Sequence, residues 1–462
     1  MYKTTDFNRT IIALATALGK GSISVIRVSG KQAISIVNKA FKGKDLSKAK
    51  GNTIHFGQII FNSREIDHVL VSVFKAPHSY TGEHYVEISC HANPYIVDDI
   101  IKCLTGYGAF PAKAGEFTLR AFLNGKIDLS QAEAVANIIE AKSKAGVQNA
   151  LKQLDGALND EIKIIRENII DIIANLEIDL DFSEENISIA PAHEIIQKID
   201  KIQDRLRRLI HSFNYAKILS SGITMTIVGQ PNVGKSTLMN SLLGEERVIT
   251  SHIPGTTRDT VHENILINNV FFKLIDTAGL RETIDQIELK GIERTRSHVQ
   301  TSDIILLVLD ISQKIPPSSL SLIKDLIDDY KSKTIVVANK LDQGEKLSVV
   351  RQIKGFSVPY VKVSALTGAG IEQLHKVIVE KVSQEYEKFS DELVITNIRH
   401  KQIFEKTIEH LQSAKRALEN SLGNEFTVVD LREALNILGE ITGETITDDI
   451  LNHIFANFCI GK

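Results

Sequence analysis

The spacing of apolar residues over the first part of the chain follows two kinds of pattern. Three short runs are rich in β-branched and aromatic residues and predict strands: Ser22–Val28, Val69–Phe74 and Tyr85–Ser89. Gln32–Phe41 and Val97–Leu104 space their apolar residues as helices do. We therefore predict an α+β domain over residues 1–119.

From about Ser130 the apolar residues recur in steps of three and four, with charges between them. The positions are Leu151, Leu154, Leu158, Ile162, Ile165, Ile169, Ile172 and Leu176. This stripe predicts one long amphipathic helix. A second stripe follows much later, at Phe404, Ile408, Leu411, Ala414 and Leu418. Because each stripe needs a partner face, we predict that residues 120–218 and 383–462 form one all-α domain.

Residues 219–382, between the two helical stretches, show a third pattern. Short apolar runs there end in glycine-rich or polar motifs, and such runs are typical of buried strands. The runs are Met225–Val228, Phe271–Ile275 and Thr334–Ala338. We therefore predict a multidomain protein in which an α/β P-loop domain is inserted into the helical domain.

The composition limits the class of protein. Apolar residues make up 43% of the 462 positions and the formal net charge is −3, so the chain can build several cores and has no global charge that favours nucleic acid. Cys90, Cys103 and Cys459 show neither paired nor metal-ligand spacing, which favours a reducing, cytoplasmic compartment. The apolar run Ile11–Ala15 is too short for a signal or membrane segment, and we expect no membrane association.

Five guanine-nucleotide motifs occur in order along the chain. They are Gly229–Ser236, Gly255–Asp259, Asp276–Gly279, Asn339–Asp342 and Ser364–Ala365. One match would be moderate evidence, because glycine-rich turns also join ordinary strands and helices. Here each motif supplies a different part of one site, so the series predicts a GTPase.

The first motif falls at a strand-to-helix turn, where backbone N–H groups and the helix N-terminus face phosphates. Lys235 is expected to reach the β- and γ-phosphates, Ser236 to bind Mg²⁺, and Asp276 to hold its water shell. Thr256 or Thr257 would add a second hydroxyl near the metal, and we favour Thr257. Gly279 is expected to donate its N–H to the γ-phosphate. Further predicted nucleotide contacts are Asn232, Val233, Gly234, Thr237, Ser251, His252, Ile253, Pro254, Gly255, Thr256, Thr277 and Ala278.

Guanine selectivity is predicted at Asp342. Its carboxylate can accept hydrogen bonds from N1–H and the 2-amino group of guanine, whereas adenine offers neither donor. Lys340 is expected to pack over the purine plane, and Ser364 and Ala365 to close the pocket beside Asn339. An isolated motif of this kind would be an ordinary polar turn, but its place in the series favours a nucleotide site.

Leu280 follows the third motif, where Ras-like GTPases carry a glutamine that orients the attacking water. Leucine cannot orient water, so another group must do so. The glutamates nearby are Glu282, Glu288 and Glu293. Their spacing does not choose among them, and all three also fit solvated charges on a polar segment.

Seven further segments go beyond a generic GTPase. They are Ile26–Gly30, Ser79–Glu83, Tyr85–Ile88, Gly115–Thr118, Arg120–Leu129, Gln131–Val135 and Phe458–Lys462. The last is highly specific, because a generic chain end is usually loose and polar. With these segments the chain closely resembles the MnmE (TrmE) family of tRNA-modification GTPases over essentially its whole length. The resemblance implies an amino-terminal domain that binds folate and dimerises, a helical domain and an inserted GTPase domain.

The resemblance also implies the chemistry. The family forms a homodimer and, with the FAD-containing partner MnmG, a heterotetramer that builds a carboxymethylaminomethyl or aminomethyl group at carbon 5 of the tRNA wobble uridine. The one-carbon unit is implied to come from 5,10-methylene- or 5-formyl-tetrahydrofolate. By motif position, the implied folate contacts are Arg27, Glu87, Lys126 and Lys462, with Cys459 nearby as a participant in the chemistry.

The carboxyl-terminal tail can reach such a site only if the preceding helix is docked. The apolar residues that predict docking are Ile450, Leu451, Ile454, Phe455 and Phe458.

For hydrolysis, the resemblance implies that Glu288 positions the attacking water. It also implies that a K⁺ ion replaces an arginine finger and stabilises charge between the β- and γ-phosphates. The implied K⁺ ligands are Asn232, Ser251, Ile253 and Thr256.

Two alternatives come from other classes. A regulatory GTP switch of ribosome assembly would bind rRNA or protein through its flanks without group transfer, and the segments Lys126–Leu129 and Cys459–Lys462 argue against it. A dynamin-like self-assembling GTPase would explain the long helices, but the chain has no membrane-binding apolar or polybasic segment.

Overall fold

The computed structural model describes residues 8–17, 19, 21–141, 143–181, 191–244, 262–267, 270–276, 298–386, 393–456 and 458–461. The chain divides into two compact units. The first unit comprises the residues up to Ile139, Leu151–Leu206 and the residues from Gln402 onward; the second comprises Glu140–Ala150 and Arg207–Lys401. Among the described residues, no helix is long and apolar enough to cross a membrane.

The amino-terminal part of the first unit is built on a sheet of seven described strands. They are β1 (Ile11–Leu14), β2 (Ile23–Ser29), β3 (Phe41–Lys42), β4 (Thr53–Phe61), β5 (Arg64–Phe74), β6 (Tyr85–His91) and β7 (Phe110–Pro111). Their order is β3-β4-β5-β6-β2-β1-β7. Neighbouring strands are antiparallel except for the parallel pair of β1 and β7. The three strand-like runs predicted from the sequence lie in β2, β5 and β6.

The helices alternate with the strands in the amino-terminal part and dominate the regions on either side of the inserted segment. In chain order they are α1 (Ala33–Ala40), α2 (Pro94–Gly106), α3 (Glu116–Leu123), α4 (Leu129–Glu140), α5 (Lys144–Leu154), α6 (Ala157–Asp181), α7 (Ala192–Ser221), α8 (Lys235–Gly244), α9 (Pro317–Tyr330), α10 (Leu347–Gly355), α11 (Ile371–Tyr386), α12 (Ile398–Glu419), α13 (Asn424–Thr442) and α14 (Asp448–Ala456). Together with the sheets, they confirm the multidomain fold class predicted from the sequence.

The two faces of the amino-terminal sheet are covered differently. Helices α1 and α2 pack on one face over a continuous apolar core that includes Ile26, Val71 and Ile88. Part of the opposite face is covered by α3, whose Phe117 packs in a second cluster with Tyr85. Because successive side chains of a strand alternate between faces, Arg27 and Glu87 are directed to this second face.

A buried guanidinium joins three separate segments beside that second cluster. Arg120 on α3 is only 2% exposed. Its guanidinium donates hydrogen bonds to Glu116 (2.8 Å), to Glu83 (3.1 Å) and to the carbonyl of Arg9 (2.8 Å). Because a buried charge is tolerated only when it is paired and hydrogen-bonded, these contacts fix the chain before β1 and before β6 against α3.

The predicted single helix through Leu151 and Leu176 was wrong at one point. Helix α5 ends at Leu154 and α6 begins at Ala157, and between them Gly156 has φ 97°. This left-handed conformation costs little free energy only for glycine, so the chain turns there instead of continuing the helix. The predicted stripe survives within α6 as buried residues: Leu158, Ile162, Ile165, Ile169, Ile172 and Leu176.

Helices from both sides of the inserted segment pack together in the first unit. Helix α6 lies along α13. Arg166 on α6 donates to the carbonyl of Leu435 (3.0 Å) and pairs with Glu444 (2.7 Å), and Arg432 on α13 pairs with Glu177 on α6 (2.5 Å). Helices that precede and follow the inserted segment therefore share one packed interface, while the second apolar stripe lies on α12, which contacts α7.

The second unit contains a mostly parallel sheet. Its described strands are β8 (Ile223–Gly229), β9 (His262–Ile267), β10 (Val270–Asp276), β11 (Ile304–Asp310), β12 (Thr334–Asn339) and β13 (Tyr360–Lys362). They lie in the order β13-β12-β11-β8-β10-β9, with only β9 antiparallel to its described neighbour. One apolar cluster includes residues of α8 and α11, and another includes residues of α9 and α10. The predicted bounds of the domains, 1–119, 120–218, 219–382 and 383–462, remain predictions.

Candidate functional site

The phosphate-binding loop predicted from the sequence joins β8 to α8. A Cβ on Gly229 would lie 2.4 Å from the carbonyl oxygen of Val308, so only glycine fits at the end of this strand. Asn232 and Gly234 both have positive φ, 61° and 94°, which closes the loop tightly. The Lys235 ammonium donates to the carbonyls of Gly229 (2.9 Å) and Gln230 (2.7 Å). The lysine charge is thus held directly over the loop.

Asn339 connects this loop to the last nucleotide motif. Its buried side-chain amide donates to the carbonyl of Val233 (2.8 Å), and its side-chain oxygen accepts the backbone N–H of Ala365 (3.0 Å). A Cβ on Gly234 would lie 2.4 Å from the same amide nitrogen. Asn339 therefore joins two segments that are far apart in sequence, in addition to being a predicted nucleotide contact.

The predicted base-recognition residues meet at the carboxyl ends of β11 and β12. Asp342 lies in a short 3₁₀ turn, and its Oδ1 accepts the Ser364 hydroxyl at 2.5 Å. Lys340 adopts the left-handed conformation (φ 67°), and its ammonium pairs with Asp310 at 2.8 Å. These contacts orient Lys340 and Asp342 from opposite sides of the turn.

Asp310 is a site residue that the sequence analysis missed. Burial would raise the pKa of its carboxyl group, but hydrogen bonds from Lys340 and Ser312 more than offset burial and lower the pKa. The ionised carboxylate therefore fixes the Lys340 side chain that is predicted to cover the purine. In the sequence, the signal that could have identified Asp310 is its position as an acidic residue at the carboxyl end of an apolar strand.

The remaining predicted residues of the nucleotide site lie partly inside and partly outside the described ranges. Ser236 and Thr237 lie in the first turn of α8, and Asp276 is the last residue of β10, although its side chain lies outside the described part of the structure. Residues outside the described ranges are Ser251, His252, Ile253, Pro254, Gly255, Thr256, Thr257, Thr277, Ala278, Gly279, Leu280, Glu282, Glu288, Glu293 and Lys462. Their roles stay predictions.

Arg27 and Glu87, two of the implied folate contacts, form a pair on neighbouring strands. They are directly opposite in the register of β2 and β6, and the Arg27 Nε lies 3.0 Å from Glu87 Oε1. Each side chain keeps about a quarter of its surface exposed, 26% for Arg27 and 27% for Glu87. The pair is therefore a rigid, partly open donor–acceptor unit on the second face of the sheet.

The carboxyl-terminal tail docks beside this pair, as the sequence predicts. Arg27 Nη1 donates to the carbonyl of Gly461 (3.2 Å), and the backbone N–H of Gly115 donates to the carbonyl of Cys459 (3.3 Å). Gly461 has φ 94°, and a Cβ there would lie 2.2 Å from the carbonyl oxygen of Leu14. The tail is thus held through its backbone at Cys459 and Gly461 and not by side chains alone.

An apolar cluster anchors the helix that precedes the tail. Phe455 and Phe458 are buried with Leu119 of α3 and Leu129 of α4. Cys459, just beyond this cluster, is exposed, whereas Cys90 and Cys103 are buried and burial raises the pKa of both thiols to about 11. Cys459 is therefore the thiol that solvent and ligands can reach.

Lys126 lies on a neighbouring loop. Its ammonium donates to the carbonyl of Pro77 (3.2 Å), and its stem lies beside Gly82. It also lines an open cavity of about 410 Å³ together with Asp128 and Gln131. In the described structure the Lys126 ammonium thus contacts the loop before β6, and no hydrogen bond joins it to Arg27 or Glu87.

Comparison with known proteins covers nearly the whole chain. The family model described as the MnmE helical domain matches residues 129–459, and the model of the GTP-binding protein TrmE N-terminus matches residues 10–126. The tRNA modification GTPase MnmE of Flavobacterium johnsoniae is 41% identical over 98% of this chain and 99% of its own length. The proteins of the same name from Christiangramia forsetii (42%) and Aquifex aeolicus (41%) are similar over the same shares of both chains.

Replacement of Asp342 by asparagine should change the preferred base. The variant loses a charged acceptor for two guanine donors, so GTP affinity should fall by about 100-fold or more. Affinity for xanthosine triphosphate should rise, because the amide can donate to the 2-oxo group. Nucleotide titration of purified protein measures both changes. The exposed Asp325→Asn on α9 is the matched control, and an unchanged preference in Asp342→Asn would contradict the assignment.

Proposed function

Because the chain belongs to the MnmE (TrmE) family of tRNA modification GTPases, we propose that it hydrolyses GTP while modifying carbon 5 of the tRNA wobble uridine with a tetrahydrofolate one-carbon unit. The observation that carries the proposal is the docking of the carboxyl-terminal tail beside Arg27 and Glu87. A chain that only switched with GTP would have no need to hold an exposed thiol, Cys459, at a pair of this kind.

The residues of the second unit support the hydrolytic half of the proposal. The loop from Gly229 to Gly234 and the first turn of α8 present backbone N–H groups and the Lys235 charge to a triphosphate. The Ser236 hydroxyl at this helix end fits an oxygen ligand for Mg²⁺, with Thr257 as the second, and the ion would neutralise charge on the phosphates. Asp342 would select guanine.

We propose that a potassium ion supplies the positive charge that an arginine finger provides in other GTPases. Asn232, held at positive φ in the loop, offers a side-chain oxygen, and the backbone of Ser251 to Thr256 would supply the remaining ligands. A monovalent cation at this place would stabilise charge between the β- and γ-phosphates. Glu288 would position the attacking water.

Exchange of K⁺ for Na⁺ at equal ionic strength should slow GTP turnover by about tenfold or more with little change in nucleotide affinity. The physical reason is that the smaller ion does not fit oxygen ligands set for K⁺. Glu288→Ala should slow turnover in the same way. Equal rates in the two salts would remove potassium from the mechanism. Normal turnover by Glu288→Ala would leave Glu282 or Glu293 as the residue that positions the attacking water.

The Arg27–Glu87 pair supports folate binding by its chemistry. A pterin ring carries an amino group and ring N–H groups, and a carboxylate such as Glu87 can accept hydrogen bonds from them. The glutamate tail of folate carries carboxylates that Arg27, Lys126 and Lys462 can hold. The ligand would be 5,10-methylene- or 5-formyl-tetrahydrofolate. Cys459 would lie near it. A flavoprotein similar to MnmG would form a heterotetramer with this chain and supply FAD. The three unpaired cysteines fit a reducing cytoplasm as the place of the reaction.

Cys459→Ser tests the modification half of the proposal. The substitution changes one atom, so folding and GTP hydrolysis should be retained, whereas modified wobble uridine should fall strongly if the thiol takes part in the chemistry. The measurement is the modified-nucleoside content of tRNA from cells that express only the variant, beside the GTPase rate. Cys103→Ser in the buried core is the control, and normal modification in Cys459→Ser would show that the Cys459 thiol takes no part in the chemistry.

An exposed apolar patch supports the proposed homodimer. Ile54 and Phe56 on β4 and Leu70 on β5 are 66%, 66% and 46% exposed, and Phe56 and Leu70 are directly paired. By strand alternation they lie on the second face of the sheet, the face that carries Arg27 and Glu87. An exposed apolar surface beside a polar pair is typical of an interface. We propose that a second copy of the chain covers it.

Phe56→Glu should convert the nucleotide-free dimer to a monomer, because it would bury a charge at the centre of the patch. Sedimentation equilibrium or light scattering measures the mass. The matched control is Leu322→Glu, which changes an equally exposed leucine on α9. A monomeric wild-type protein, or a Phe56→Glu variant that stays dimeric, would show that the patch is not the contact surface.

A further inference from the structure

One oxygen of Glu87 is held by two donors. The Tyr85 hydroxyl donates to Glu87 Oε1 at 3.1 Å, and Arg27 Nε donates to the same oxygen at 3.0 Å. The other oxygen, Oε2, receives no hydrogen bond from the described part of the chain and is not among its buried unsatisfied side-chain atoms. Glu87 thus presents one saturated oxygen and one accessible acceptor.

Tyr85 is itself fixed in place. It is 3% exposed, and its ring packs edge-on against Phe117 at 6.2 Å and at a tilt against Phe74 at 5.9 Å between centroids. Burial raises the pKa of its hydroxyl well above that of free tyrosine, although the positive charge of Arg27 opposes the rise. The hydroxyl therefore remains a donor at physiological pH, and the acceptor it faces is the Glu87 carboxylate.

The Tyr85 hydroxyl and Arg27 share one oxygen of Glu87. A guanidinium and a carboxylate prefer a bidentate arrangement in which two donors meet both oxygens. Such an arrangement would occupy Oε2 as well as Oε1. Tyr85 lies two residues before Glu87 on the same face of β6, so its hydroxyl reaches Oε1, and the described hydrogen bond from Arg27 to Glu87 goes to this same oxygen through Nε.

We propose that Tyr85 is a positioning residue of the folate site, whose hydroxyl keeps Glu87 Oε2 free to accept the 2-amino group of the pterin ring. The inference rests on the proposed folate function and adds to it a residue outside the contacts implied by the family. Tyr85 touches Glu87 and not the ligand, so it acts by setting the orientation of an acceptor. Its role is specific to ligands that donate to that acceptor.

Tyr85→Phe removes the hydroxyl and keeps the ring contacts with Phe74 and Phe117. Affinity for 5-formyl-tetrahydrofolate, measured by calorimetry on the full chain, should fall about three- to tenfold, because the hydrogen bond between the ligand and Glu87 is weakened and not abolished. Affinity for an analogue with a methyl group in place of the 2-amino group should stay the same in wild type and variant. Tyr107→Phe, in the same domain and distant from Glu87, is the control for loss of a tyrosine hydroxyl.

A double-variant cycle separates positioning from packing. If Tyr85 acts through Glu87, Tyr85→Phe should have no further effect on folate affinity once Glu87 is replaced by glutamine. Equal weakening of both ligands by Tyr85→Phe, or additive effects of the two substitutions, would overturn the inference. So would a Tyr85→Phe variant that binds both ligands as tightly as the wild type. A wild-type protein that binds neither ligand would instead overturn the proposed folate function.

Discussion

The buried guanidinium of Arg120 is the interaction on which the amino-terminal site depends. Its hydrogen bonds to Glu116, Glu83 and the carbonyl of Arg9 hold three distant segments against one another. Glu83 also accepts the Ser29 hydroxyl, which extends the network to the end of β2. Loss of one partner would leave an uncompensated buried charge, at a cost of about 3–5 kcal/mol. The network therefore sets where β2, β6 and α3 meet; Arg27 and Tyr85 lie on the two strands, and Gly115 directly precedes the helix.

Both candidate sites are closed by a few polar contacts between segments that are far apart in sequence. In the second unit, the Asn339 side chain joins the phosphate loop to the Ser364–Ala365 turn. In the first unit, backbone groups of Cys459 and Gly461 join the chain end to Gly115 and Arg27. Each closing contact is supported by an apolar cluster behind it, which supplies the free energy that the few hydrogen bonds do not. The sites are thus preorganised by packing, and the polar contacts set their geometry.

The sequence determined much of this protein because its signals are local. Apolar periodicity located β2, β5, β6 and the stripe of α6, and the ordered nucleotide motifs fixed a strand, a loop and a helix N-terminus whose chemistry depends on neighbouring residues. The apolar residues before the chain end were enough to predict a docked tail. The one clear error, a single helix through Gly156, came from periodicity that continues across a turn, since a stripe does not report the backbone conformation of a glycine within it.

Tertiary structure decided what depends on contacts between distant segments. Asp310 fixes Lys340 only because β11 and β12 are neighbours in the sheet, and the order of strands cannot be read from their spacing along the chain. Tyr85 shares an oxygen of Glu87 with Arg27 only because β2 and β6 pair in one register; a shift of one residue would send Arg27 to the other face. Strand register and the individual contacts of the docked tail are set by the summed packing of many side chains, so they emerge only when the chain is folded.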